Sequence, residues 1–207
     1  MDVTIIGTGN MARGIATRAL AGGHTVTLLG HDLGKAQALA GELSGDVHAG
    51  TVGDPIRGDV VVLAVWYQAL DDVLGRYGDG LAGKTVVDIT NPVDPETYAP
   101  ITVEAGSAAQ EIQQKAPGAN VVKAFNTTFA GSLVDGQVGG QSLDVFVASD
   151  SDEAKAKVRE LVESGGLRVV DAGPLALARQ IEGAGYLHMA IQPGIGGTYS
   201  SALRIVS

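Results

Sequence analysis

Short apolar, β-branched runs alternate along this chain with longer stretches whose apolar residues recur at helical spacing. That alternation is the pattern of a mostly parallel sheet covered by helices on both faces. The strand-like runs are Val3 to Ile6, Thr25 to Leu29, Val60 to Val65, Thr85 to Ile89, Asn120 to Ala124, Leu143 to Ala148 and Leu167 to Val170. Between them the spacing predicts helices over Met11 to Ala21, Leu33 to Leu43, Tyr67 to Tyr77, Ala108 to Lys115, Ser151 to Ser164 and Leu175 to Ala190. The run DVVVLAVW is apolar throughout, as suits a central strand buried on both faces. In the fifth helix Ser151 is placed to cap the start, and Ala154, Val158, Leu161 and Val162 form one apolar stripe. The prediction is a doubly wound α/β fold in one domain over residues 1–207. Its last part, from about residue 172, is expected to be a helix and tail that completes the site or a dimer interface.

Composition narrows the chemistry. A chain of 207 residues suits one sizeable domain, and 45% apolar with 18% charged residues describes an ordered globular protein. The net charge of −9 argues against nucleic-acid or anionic-membrane partners, which need a clustered basic surface. With no cysteine, disulfides, thiolate metal sites and cysteine nucleophiles are excluded. A strand-like run beginning at Val3 leaves no room for a targeting peptide, and no apolar run approaches the roughly 18 residues of a membrane span, so a cytoplasmic protein is expected. The long connection TNPVDPETYAPITVEAGS carries Pro92, Pro95 and Pro100, which block helix and disfavour a central strand. It follows a strand end, and two readings are open, an active-site lid or an ordered surface loop.

The stretch VTIIGTGNMARGIATRAL contains a strand, a glycine-rich turn and a helix start, which together offer unpaired N–H groups and a positive dipole end to a pyrophosphate. Gly7 permits the tight turn, and Gly9 lets backbone approach the phosphates. Ala12 stands where a third glycine usually sits in this Rossmann-type fingerprint, a variant often associated with the 2′-phosphorylated nucleotide. At the end of the second strand, where an NAD-selective site places a carboxylate, the chain has Gly30, followed by His31 and Lys35 as donors toward a 2′-phosphate. Asp32 is read as the cap of the next helix. These features favour NADP(H) over NAD(H).

Three further segments end at the same sheet edge and are candidates to orient a nicotinamide: Val65 to Gln68 with Val65 and Trp66 foremost, Thr90 to Pro92 with Asn91 between, and Phe125 to Thr128 with Asn126 and Thr127 foremost. Core packing competes for Trp66 and Tyr67, a turn role for Asn91, and a helix cap for Asn126. His24 is read as a turn residue, His48 as a loop residue and His188 as a helix-face residue. The chain shows no GxSxG elbow, no paired acidic motif and no histidine pair at metal-ligand spacing. Hydride transfer between two bound cofactors, with the protein fixing distance and excluding water, is therefore attractive.

IIGTGNMARGIATRALAGGHTV, VVDITNP, VVKAFNTTFAGSL and LRVVDAGPLALARQIEGAGYLHMAI together resemble the NADPH-dependent reductases of the deazaflavin coenzyme F420, over essentially the whole chain. VVKAFNT is also similar to the cytosolic domain of the six-transmembrane ferric reductases. The resemblance implies that Thr8, Gly9, Asn10 and Met11 lie on the pyrophosphate and Lys35 near the 2′-phosphate. It implies hydride exchange between nicotinamide C4 and deazaflavin C5, in a crevice lined by Thr90, Asn91, Pro92, Asn126 and Thr127. Gly173 and Pro174 would add backbone contacts, and no side chain is assigned proton transfer. A homodimer with small-molecule redox partners follows from the same likeness. Family positions that are typically serine and arginine are Gly30 and His31 here, and a histidine found in well-studied members is Asn126. A flavin, quinone or ferric chelate as acceptor is the variant reading, and a non-catalytic NADPH sensor is the rival from another class. Pyrroline-5-carboxylate reductases begin with a very similar loop but need a helical C-terminal domain, whereas strand candidates here continue to about Val170.

One consequence is measurable. Lys35→Ala should weaken NADPH at least tenfold, the order of one charge-assisted phosphate contact, and leave NADH within twofold, by fluorescence titration. Equal losses for both nucleotides would remove Lys35 from the 2′-phosphate.

Overall fold

The fully apolar runs take the middle of the sheet and the more polar ones its edges. In the computed structural model, which describes residues 1–206, the order is β1 (Asp2–Ile6), α1 (Asn10–Ala21), β2 (Thr25–Gly30), α2 (Leu33–Glu42), β3 (Val47–Thr51), β4 (Val60–Leu63), α3 (Leu70–Tyr77), β5 (Thr85–Asp88), α4 (Ala108–Lys115), β6 (Asn120–Lys123), α5 (Ala130–Asp135), β7 (Gln137–Val138), β8 (Gln141–Ser142), β9 (Asp144–Ala148), α6 (Asp152–Ser164), β10 (Arg168–Gly173) and α7 (Ala178–Ala190). Ser207, the end of the expected tail, lies outside the described residues.

The main sheet runs β10-β9-β6-β5-β4-β1-β2-β3. The six strands β3-β2-β1-β4-β5-β6 are all parallel. Chain order reverses between β1 and β4, and at such a switch point the carboxyl ends of the strands open a crevice. The expected doubly wound, mostly parallel fold is the one observed. β9 and β10 are parallel to each other but run against β6, joined to it through Lys123 and Ala148.

Two apolar layers hold the helices to the sheet. Ile15, Val158, Leu161 and Val162 from α1 and α6 pack with Ile5, Val26 and Val62 on one side. On the other, Leu70, Val73 and Ile112 from α3 and α4 meet Ile6, Val61 and Val86. Each fully buried side chain of this size contributes about 1.5–3 kcal/mol. The inner face of α1 is mostly small, Ala12, Gly14, Ala16 and Ala19, which brings it close to its neighbours. Ser151 caps α6 through Ala154 N–H, and the predicted stripe of that helix is buried. Asp32 caps α2 by accepting from Lys35 N–H at 2.9 Å, as expected.

Several boundaries differ from expectation. β4 stops at Leu63, because Ala64 to Trp66 leave the sheet. The helices expected from Tyr67 and Leu175 open with 3₁₀ turns, Tyr67–Ala69 and Leu175–Leu177, before α3 and α7 begin. β3, α5 and the β7–β8 hairpin were not signalled by period: β3 is a partly exposed edge strand without an apolar run, and the others are six and two residues long. His48 consequently sits in β3 rather than a loop. The C-terminal tail after α7 opens with a 3₁₀ turn, Gln192–Ile195.

The tail then returns to the sheet. Arg204 Nη1 donates to Ser142 O at 2.6 Å and Ile205 N–H to Asp144 Oδ2 at 2.8 Å. The buried Asp144 also takes a two-pronged contact from Arg168, 2.6 Å on each oxygen. Burial alone would raise the Asp144 carboxyl, but the Arg168 guanidinium and the Ile205 N–H outweigh it and hold it below the usual carboxylate range. A depressed folded value means that this stabilisation is complete above about pH 4, the unfolded value, and is lost as pH falls through the folded one. Asp144→Asn should therefore cost about 2 kcal/mol in urea unfolding at pH 7, with the gap to the native protein closing below about pH 4. A variant of unchanged stability at pH 7 would show that the tail is not anchored this way.

Candidate functional site

The glycine turn after β1 lies at the switch point and is shaped by contact. Gly7 has φ +124, and a Cβ there would sit 2.1 Å from Ala64 O. Its N–H is spent on Leu29 O at 2.8 Å, so the turn is pinned between β2 and β4. At Gly9, by contrast, a Cβ would meet nothing within 4 Å. No side chain caps α1 and its first turn has no acidic residue, so its leading N–H groups, at Asn10 and Met11, are left for an anion. An open approach over Gly9 with uncapped donors below it fits a dinucleotide pyrophosphate. Thr8 closes the side of the turn: a Cβ on Gly30 would come within 2.8 Å of its methyl.

His31 and Lys35, beyond Gly30, are exposed. His31 Nε2 lies 3.9 Å from Asp72, whose carboxylate is shared with Arg76 at 2.8 Å. Lys35 makes no ion pair among the described residues, so its charge is available. At the end of β4, Val65 is half-buried and Trp66 is 55% exposed, so Trp66 is not a core residue. Tyr67 Oη donates to Glu111 at 2.7 Å, and Gln68 Nε2 reaches Val93 O at 2.8 Å, tying this turn to the proline-rich loop.

At the ends of β5 and β6 the structure brings together Thr90, Asn91, Asn126 and Thr127. The Asn91 and Asn126 amides face one another: Asn126 Nδ2 donates to Asn91 Oδ1 at 2.9 Å, and Asn91 Nδ2 to Asn126 O at 2.9 Å. Asn126 Nδ2 also reaches Ile181 O on α7 at 3.0 Å. Asn126 caps no helix, because the α5 cap position is Phe129. Gly185 of α7 lies directly over the pair, where a Cβ would come within 2.8 Å of Asn91 Oδ1. Phe125 adopts φ +62, a costly conformation for a residue with a side chain, and it turns the chain out of β6 into this segment. Asn126 Oδ1 and Thr127 Oγ1 are buried without a hydrogen-bond partner among the described residues. Such atoms are the natural anchors for a bound carboxamide.

Below these residues lies a buried charge cluster that hydrophobic period did not reveal. Lys123 Nζ bonds Asp88 Oδ2 at 2.8 Å, Glu182 Oε1 at 2.9 Å and the Thr90 carbonyl. Asp88 Oδ1 takes both Thr90 N–H and Thr90 Oγ1 at 2.8 Å. Glu182 Oε1 also accepts from Ala108 N–H at 3.0 Å, at the start of α4. One lysine thus joins β5, β6, α4 and α7. Burial would lower the Lys123 ammonium, but the two carboxylates raise it above its ordinary value and keep it charged. The available signals were a lysine closing the apolar run NVVK and a glutamate on the inner face of the last helix.

Next to Asn91 and Pro92 a cavity of about 260 Å³ opens between the proline-rich loop and α7, with Val93, Ile101, Tyr186 and Glu182 among its walls. The loop is braced by a Val93–Pro100 bridge and by Asp94, which accepts from Thr97. Gly173 and Pro174 do not line the cavity; Gly173 ends β10 and Pro174 leads into the next turn, where Leu175 N–H bonds Asp150. His188 is buried rather than simply on a helix face, held between Thr127 O at 3.0 Å and Ser201 Oγ at 2.8 Å. His24 does more than fill a turn, contacting the N-terminal amine and Ser164 Oγ.

A family model described as NADP oxidoreductase, coenzyme F420-dependent, matches residues 2–92. The F420-dependent NADP reductase of Methanothermobacter thermautotrophicus is 31% identical over 198 residues, 88% of this chain and 85% of that protein. The chain belongs to the F420-dependent NADP oxidoreductase family. Membership makes it an NADP-linked oxidoreductase. A solved structure, a putative F420-dependent NADP reductase from Arthrobacter sp. FB24, superposes with TM-score 0.86 at 29% identity and covers 99% of each chain. The metalloreductase STEAP3 of Rattus norvegicus is 32% identical over 87% of this chain, which spans only 35% of that longer protein.

Within this family member, Lys123→Met should leave two buried carboxylates without their cation and cost about 3–5 kcal/mol in denaturant unfolding at pH 8. Glu182, already held above the usual carboxylate range by burial, should rise further without the lysine, so the deficit should shrink as pH falls toward about 5. A variant as stable as the native protein across that range would contradict the clamp.

Proposed function

We propose that this protein transfers a hydride between NADP(H) and coenzyme F420, with the nicotinamide over Thr90, Asn91 and Pro92 and the deazaflavin ring in the adjoining cavity. NADPH, when bound, supplies the hydride from C4 of its nicotinamide. The observation that carries the reading is placement: the cavity shares Asn91 and Pro92 with the end of β5, so two ring systems would meet there. Family membership supports F420 as the acceptor.

The roles fall to residues already placed. The N–H groups at Gly9, Asn10 and Met11 receive the pyrophosphate, with Gly7 and Thr8 shaping the turn. Lys35 and His31 meet the 2′-phosphate next to Gly30, although Asp72 competes for His31. The free acceptors on Asn126 and Thr127 orient the carboxamide. Val65 and Trp66 flank the crevice, and the proline-rich loop shields the reacting rings from water. Gly173 and Pro174 are left with at most a peripheral part. A homodimer belongs to the same reading, supported by exposed Leu187, Ile191 and Ile195 along the end of α7. No helix among the described residues is long and apolar enough to cross a membrane, which is compatible with a cytoplasmic enzyme.

The likeness to STEAP3 favours a second reading in which the acceptor is a flavin or ferric chelate. Purified protein should be mixed with NADPH or NADH and with oxidised F420, FMN or a ferric chelate, following nicotinamide absorbance. Turnover with F420, faster from NADPH than NADH, is expected. Turnover with FMN or ferric chelate alone would replace the first reading by the second, and tight NADPH binding with no turnover would make the protein a sensor.

A further inference from the structure

Hydride transfer from NADPH to an acceptor that ends neutral consumes one proton. In the segments recognised from sequence, no side chain is assigned to deliver it. Resting on the reading of the cavity as the acceptor's place, we propose that Glu182 is the acid that supplies this proton. It is 6% exposed, yet it lines the cavity beside Asn91 and Pro92. Lys123 Nζ and Ala108 N–H both bond Oε1, and the Ala109 N–H is a further backbone donor to the carboxyl.

Charge counting puts the proton on Glu182 rather than on its neighbour. The cluster holds one cation and two carboxylates. Asp88 accepts two bonds from Thr90 and one from Lys123 and does not line the cavity, whereas Glu182 does. A second full negative charge in this buried place is opposed by desolvation, so the surplus is relieved at Glu182. Consistently, burial pushes the Glu182 carboxyl above the usual range; Lys123 pulls it down, and the nearby Asp88 pushes it up again. The groups facing it are Lys123 from β6, Asp88 from β5, and Arg179 and Tyr186 from its own helix. The start of α4 contributes backbone N–H, and the proline-rich loop gives the cavity only uncharged side chains.

The step balances. The nicotinamide C4–H bond breaks with its electron pair as a C–H bond forms at deazaflavin C5. The electron pair displaced through the ring takes the proton from Glu182 at N1. The products are NADP⁺, the reduced acceptor and a Glu182 carboxylate, which recovers a proton from water at the cavity mouth.

Glu182→Gln keeps the shape and the Oε1 acceptor but has no acidic hydrogen. It should lower kcat by at least 100-fold, the scale of one general acid, while the NADPH dissociation constant stays within twofold. The native kcat should decline toward high pH as Glu182 loses its proton, and the variant should lack that decline. In Glu182→Ala, added formic acid should restore turnover in proportion to its undissociated form. Independently of turnover, carbon-13 NMR of glutamate-labelled protein without ligands should show one carboxyl titrating above the ordinary glutamate range, absent in Glu182→Gln. The proposal is overturned by a Glu182→Gln kcat within threefold of native, by an unchanged pH profile, by no rescue with formic acid, or by ordinary titration of every glutamate. If the native enzyme fails to reduce F420, the acceptor reading falls by itself. The ligand-free titration, and the same variants with whichever acceptor is turned over, would still decide the role of Glu182.

Discussion

A single buried ammonium holds the two halves of the crevice at the sheet's carboxyl edge together. Lys123 is 0% exposed and lies among Asp88, the Thr90 carbonyl and Glu182, so one side chain joins the end of β5 to the last helix. Desolvating these groups is expensive, and their mutual attraction repays it only because almost every lone pair and proton has a partner. The consequence is positional. Thr90 and Asn91 are held against α7, Asn126 is tied to Ile181, and the cavity wall forms beside them. The strained Phe125 turn persists because these contacts surround it.

A second constraint works at the other end of the crevice by contact alone. Gly7 touches Ala64, and Gly30 touches Thr8, so the nucleotide turn, β2 and β4 are packed too closely for any side chain at either glycine. This sharpens the meaning of Gly30. The missing carboxylate at the end of β2 has a steric cause in the packing of Thr8, and on that ground it says less about the 2′-phosphate than its position suggested. The leaning toward NADPH rests more heavily on Lys35, which makes no ion pair among the described residues, than on His31, which stands near Asp72.

Sequence period disclosed five of the six parallel strands, β1, β2, β4, β5 and β6, and the helices between them because those elements are apolar and regular. It missed β3, whose residues are half-exposed at the sheet edge, and α5, which is only six residues long. It did not reveal the reversed direction of β9 and β10, since direction depends on which strands pair and not on periodicity. Among site residues, the glycine turn and the segments around Asn91 and Asn126 were legible because strand ends followed by glycine, proline or asparagine are local features. Glu182 was not, because its partners lie at residues 88, 108 and 123, brought together only by the fold. Gly173 and Pro174 came only from the likeness to the family, and they fall outside the cavity.

The proposed hydride transfer requires two rings to meet at the end of β5. A crystal structure of the protein soaked with NADP⁺ and oxidised F420 tests this most directly. The pyrophosphate should lie over Gly9 and Asn10, and nicotinamide C4 should face deazaflavin C5 between Asn91 and α7, within about 3.5 Å for transfer. A nicotinamide placed away from Asn91 and Pro92, or a deazaflavin bound outside the cavity next to them, would contradict it.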